Sequence, residues 1–129
     1  MQKKRVLIIE DDVAFAELAK LALRNSNYQI DVADDGCSAL EMLSKRKYDL
    51  VISDYRLPNI HGIDVLKAAK RHNPNCETVL MSAASPEMME SSLKDLNLSG
   101  FLQKPFLPAK LRDLVVNGFN KIIAGVVRV

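Results

Sequence analysis

Residues 48–54 read YDLVISD and residues 6–12 read VLIIEDD. Each holds an apolar run with no alternation of polar residues, cut off abruptly by acids. A strand exposed on one face alternates, whereas a strand covered on both faces does not, and the second pattern belongs to the centre of a parallel sheet sandwiched by helices. The two runs therefore predict an α/β layered fold before any other segment is read.

The rest of the chain supplies the partners. Short apolar runs recur at Arg5 to Ile9, Gln29 to Ala33, Asp49 to Ser53, Thr78 to Ser82 and Gly100 to Gln103, and read as five strands. Between and after them come apolar faces at helical spacing: Phe15, Leu18, Ala19, Leu21, Ala22; Ala39, Leu40, Met42, Leu43; Val65, Leu66, Ala69; Met88, Met89, Leu93, Leu96; and Leu111, Leu114, Val115, Phe119. Asp35-Gly36 marks a turn into the second helix, and Ser85-Pro86-Glu87 has the order of a cap, a first-turn proline and an acid. Five βα units of about 25 residues give a doubly wound sheet, expected in the order 2-1-3-4-5.

Length and composition agree with a single compact domain. The chain has 129 residues, 48% hydrophobic and 26% charged, with a net charge of +2. That charge is too small to attract nucleic acid or an anionic membrane, so no direct nucleic-acid or membrane contact is expected. The basic start, Met1 to Arg5, is followed by only four apolar residues, too few for a signal peptide, and no run is long enough to span a bilayer. The expected location is cytoplasmic. Cys37 and Cys76 lack any paired or metal-binding spacing.

In a doubly wound sheet, ligands bind beyond the carboxyl ends of the strands. Those positions here are Glu10-Asp11-Asp12, Ser53-Asp54, Ser82-Ala83-Ala84 and Lys104-Pro105. Taken singly they are ordinary: Asp12 reads as a helix cap, Ser82 as a strand-end hydroxyl, Lys104 as a surface lysine. Their joint placement at four strand ends is what points to chemistry. Glu10, Asp11 and Asp54 would repel one another, and a hard divalent cation such as Mg²⁺ relieves that repulsion. A carboxylate beside such a metal can attack phosphorus while a hydroxyl and an ammonium stabilise the equatorial oxygens. Asp54, the lone acid at a central strand end, is the candidate nucleophile, and Glu10 and Asp11 suit metal holding.

The segments VLIIEDD, YDLVISDYRLPNIHG, VLMSA and GFLQKPF resemble, in order and spacing, the motifs of receiver domains of bacterial two-component response regulators. The resemblance covers about Lys4 to Phe119. It implies a flavodoxin-like (βα)5 sandwich whose Asp54 is phosphorylated from a phosphohistidine on a sensor histidine kinase or histidine phosphotransfer protein. It implies Asp11 as direct Mg²⁺ ligand, Glu10 acting largely through water, and the backbone carbonyl of Arg56 as a further ligand. Ser82 and Lys104 would each bind a phosphoryl oxygen, Lys104-Pro105 would be a cis peptide, and movement of Ser82 and Phe101 would remodel the face of the fourth helix, fifth strand and fifth helix. Such a domain is a signalling switch rather than a turnover enzyme. It hands its state to an output domain, an effector protein or a second copy through that face.

Ser82 stands where threonine is frequent, Phe101 where tyrosine is, and Arg56 two residues past the acceptor, where phosphate lifetime is influenced. A metal-dependent phosphatase of the haloacid-dehalogenase type is the alternative, but such enzymes carry a second Asp at the position of Arg56. His61 and His72 read as surface residues, and Lys45, Arg46 and Lys47 as a solvated helix end. The receiver is expected over residues 1–120. The last apolar stripe continues through Ile122, Ile123, Val126 and Val127, so residues 121–129 are expected to extend the final helix or lead into an output module.

Overall fold

A computed structural model describes residues 3–24, 27–85, 87 and 97–124, with side chains described through residue 116. The expected face Met88, Met89, Leu93, Leu96 lies outside the described residues. So do the side chains of Phe119, Ile122, Ile123, Val126 and Val127.

Five strands, β1 (Lys4–Ile9), β2 (Tyr28–Ala33), β3 (Leu50–Asp54), β4 (Glu77–Ser82) and β5 (Gly100–Gln103), form one sheet in the order β2-β1-β3-β4-β5. All four pairings are parallel. The apolar runs of β1 and β3 are fully buried, as their lack of alternation requires. Four helices are present among the described residues: α1 (Val13–Ala22), α2 (Gly36–Lys45), α3 (Gly62–His72) and the C-terminal α4 (Pro108–Ala124). None is long and apolar enough to cross a membrane.

The core divides across the sheet into two layers. Leu7, Ile9, Val51 and Leu80 pack with Leu43, Val65, Leu66 and Ala69 of α2 and α3. Val6, Ile8, Ile52 and Val79 pack with Ala19 and Ala22 of α1 and with Leu111 and Val115 of α4. That two-sided covering is the physical meaning of the unbroken apolar strands.

One helix face differs from the expected one. Leu21, expected on the buried face of α1, is 57% exposed, while Ala16 and Leu23 are buried. The cause is the helical period: Leu21 lies about 200° round the helix from Ala19, opposite the face that Ala16, Ala19 and Leu23 share. On the covered side α4 comes close enough for the Arg112 side chain to donate to the Ala22 carbonyl at 3.0 Å.

Candidate functional site

The register of the sheet fixes where the candidate residues meet. Ile9 lies opposite Ser53 and Asp54 opposite Met81, so Glu10, Asp54 and Ser82 leave neighbouring strands at nearly one level. Asp12 caps α1 through its side chain, accepting from the backbone N–H groups of Ala14 and Phe15, which is the role expected of it. With Asp12 so used, Glu10 and Asp11 remain for the site.

Glu10, Asp11 and Asp54 each present a carboxylate oxygen within 4.8 Å of the others. Glu10 is buried, Asp54 half-buried and Asp11 exposed. Lys104 reaches in from the end of β5: its ammonium donates to Glu10 and lies 3.3 Å from Asp54 Oδ1. Three acids and one ammonium leave the cluster short of positive charge. Burial raises the Glu10 carboxyl above its ordinary range, with the hydrogen bond from Lys104 working against the rise. Burial likewise raises Asp54, against the attraction of Lys104 and with repulsion from Asp11 adding to it. An all-oxygen donor set with an accessible member, Asp11, fits a hard divalent cation.

The segment after Asp54 is held close by its own backbone. Tyr55 N–H donates to Met81 O at 2.8 Å, Gly62 N–H to Tyr55 O at 3.0 Å, and Asn59 takes a left-handed φ of 74°. A Cβ on Gly62 would lie 1.9 Å from the Asp54 carbonyl oxygen. Only glycine lets α3 begin against the strand end that carries Asp54, which is the physical reason for glycine at the end of the LPNIHG segment.

The other expected residues fall around this cluster. Ser82 is buried, its Oγ accepting from the Ala84 N–H at 3.1 Å. The Lys104–Pro105 peptide is cis, as the resemblance implied. Arg56 is exposed two residues past Asp54, and Phe101 is half-buried. His61 and His72 are exposed, as read. Sequence reading missed the part played by two rings: Phe15, assigned to a packing face, lies with its centroid 4.4 Å from Lys104 Nζ, and Phe106 meets it in a tilted ring contact. No spacing rule signals a contact between residues 89 positions apart.

The model of the response regulator receiver domain matches residues 6–116. The chain belongs to that family. Sporulation initiation phosphotransferase F of Bacillus subtilis is 30% identical over 115 residues, covering 89% of this chain and 93% of that relative. The probable transcriptional regulatory protein TcrX of Mycobacterium tuberculosis is 32% identical over 107 residues, 81% of this chain but 45% of the relative. The receiver thus spans about half the length of several curated relatives it matches. The solved chemotaxis response regulator CheY4 of Vibrio cholerae superposes with a TM-score of 0.81 at 25% identity, over 91% of this chain and 99% of CheY4. As a receiver the chain is a phosphoacceptor signalling domain, and the phosphatase alternative is not favoured: the position its second aspartate would need holds Arg56.

Proposed function

We propose that Asp54 is the residue that accepts the phosphoryl group, from a phosphohistidine on a sensor histidine kinase or histidine phosphotransfer protein. The observation that carries this is the meeting of Asp54 with Glu10, Asp11 and Lys104 at the carboxyl edge of the sheet. An Asp54 carboxylate oxygen attacks phosphorus in line. The new P–O bond forms as the P–N bond breaks, and the donor imidazole leaves with the electron pair. In hydrolysis, water attacks phosphorus, the P–O bond to Asp54 breaks, and the carboxylate is regenerated as inorganic phosphate departs.

Glu10, Asp11 and Asp54, together with the Arg56 backbone carbonyl, are the residues that would hold Mg²⁺. When bound, it supplies positive charge to the phosphoryl oxygens. Lys104 supplies the second positive group and pairs with a phosphoryl oxygen. Ser82 donates its hydroxyl to another, and its displacement opens volume into which Phe101 turns. Phe101, Gln103, Pro105, Phe106, Leu107 and Lys110 line a cleft of about 360 Å³ on the surface that this movement would remodel. An effector, an output domain or a second copy of the chain reads the state there.

The phosphodonor docks on apolar surface beside the acids. Phe15 and Phe106 bring the start of α1 against the loop after β5, and within those segments Val13 and Leu107 are 75% and 76% exposed. Their exposure at the rim supports a protein donor rather than a small metabolite alone. Incubation with Mg²⁺ and acetyl phosphate, followed by intact-mass measurement, tests the core of the proposal. The native chain should gain one acid-stable, base-labile phosphoryl group and Asp54→Asn none; equal labelling of the two would overturn it.

A further inference from the structure

Lys104 has a neighbour that receiver chemistry does not call for. Its Nζ stands 4.4 Å from the centroid of the Phe15 ring, on the first turn of α1. Phe15 is itself fixed: its ring meets Phe106 at a centroid separation of 6.2 Å and an angle of 38°. Phe106 lies two residues beyond Lys104, so the loop that carries the lysine also buttresses the ring that receives it. The Lys104 side chain is only 12% exposed, and a cation–π contact gains strength as water is removed from it.

We propose that Phe15 is a positioning residue for Lys104, its ring face confining the ammonium to the side where Glu10 and Asp54 lie. The inference rests on the reading of Asp54 as acceptor. A lysine carries a compact, strongly hydrated charge on a flexible four-carbon stem, so its resting place must be supplied by its surroundings. Carboxylates alone would fix the ammonium at one of their oxygens. A ring face attracts without a single directional partner, so the ammonium can pass from the Asp54 carboxylate to a phosphoryl oxygen on Asp54 while staying covered. Leucine at this position would supply the apolar cover and none of the attraction.

The test compares native protein with Phe15→Leu, Phe15→Tyr and Asp54→Asn. With Mg²⁺ and acetyl phosphate, Phe15→Leu should form acyl phosphate about fivefold more slowly than native protein, and Phe15→Tyr, which keeps the ring face, should recover most of that rate. Independently of activity, NMR should find the Lys104 ε-methylene protons shifted upfield by the ring in native protein and in Phe15→Tyr. That shift should be lost in Phe15→Leu. Native-like shifts in Phe15→Leu, or a native rate in that variant with a cooperative melt, would overturn the proposal. Acyl phosphate that persists in Asp54→Asn would instead overturn the acceptor assignment, and the methylene shifts would still decide whether the ring holds the lysine.

Discussion

The two ends of one sheet treat carboxylates in opposite ways. At the amino end, Asp49 accepts the Arg5 backbone N–H at 2.8 Å, and Tyr48, just before β3, donates its hydroxyl at 2.7 Å to Asp31 midway along β2, with Arg46 3.5 Å from the same carboxylate. Glu77, fully buried there, accepts the Ser99 hydroxyl. At the carboxyl end Glu10, Asp11 and Asp54 crowd together around the single ammonium of Lys104. A buried acid with its partners in place stabilises the fold, whereas a crowded one leaves repulsion that a ligand can relieve. The same residue types thus serve structure at one end and, on the proposed function, chemistry at the other.

The largest effect should come from breaking the end where the acids have their partners. Glu77→Ala removes a fully buried side chain and leaves the Ser99 hydroxyl without this acceptor, so it should cost about 3 kcal/mol in urea unfolding. A cost under about 0.5 kcal/mol would place Glu77 among ordinary surface acids. Phosphorylation of the surviving folded fraction from acetyl phosphate should stay native, because the site lies at the other end.

A smaller effect, of opposite sign, should follow from filling the crowded end. Mg²⁺ at a hundredfold excess over its dissociation constant should stabilise the native chain by about 2.7 kcal/mol, read as a rise in melting temperature. Glu77→Ala should show the same increment from its lower baseline. A Mg²⁺ increment in native protein no larger than that of Asp54→Asn would mean that Asp54 takes no part in holding the cation.

The fold was legible because its central strands advertise their covering. VLII and LVI are apolar at every step, and the observed strands agree with the expected ones to within a residue at either end. The site was legible because a doubly wound topology brings strand ends together, so Glu10, Asp54, Ser82 and Lys104 could be associated from their positions alone. What could not be read is finer. Ala16, Ala19 and Leu23 follow the helical period as the covered face of α1, and Leu21, about 200° round the helix from Ala19, faces out. Phe15 reads as core because periodicity shows that a ring faces inward and says nothing of an ammonium delivered from residue 104. The burial of Glu77 has no sequence signal, since a lone acid opening a strand carries no sign that it will be fully covered.

The finest comparison of the two ends is made with protons. Burial raises both Glu10 and Asp54 above their ordinary values, so without metal the folded state holds these protons more tightly than the unfolded chain does. The stability they contribute is therefore fully present below the unfolded carboxyl values, about pH 4, and is lost as pH rises through the raised folded values. At neutral pH the native chain bears the full repulsion. Asp54→Asn should accordingly melt a few degrees above the native protein at pH 7 in the absence of Mg²⁺, even though it gives up the 3.3 Å contact with Lys104. That gap should shrink steadily toward pH 4, as the raised carboxyl of Asp54 takes up its proton and comes to resemble an amide in charge. Melting curves of the two proteins across pH 4–7 make the comparison. A gap that is constant with pH, or a native chain more stable than Asp54→Asn at pH 7, would show that Lys104 already neutralises the site and that the two ends of the sheet differ less than their charges suggest.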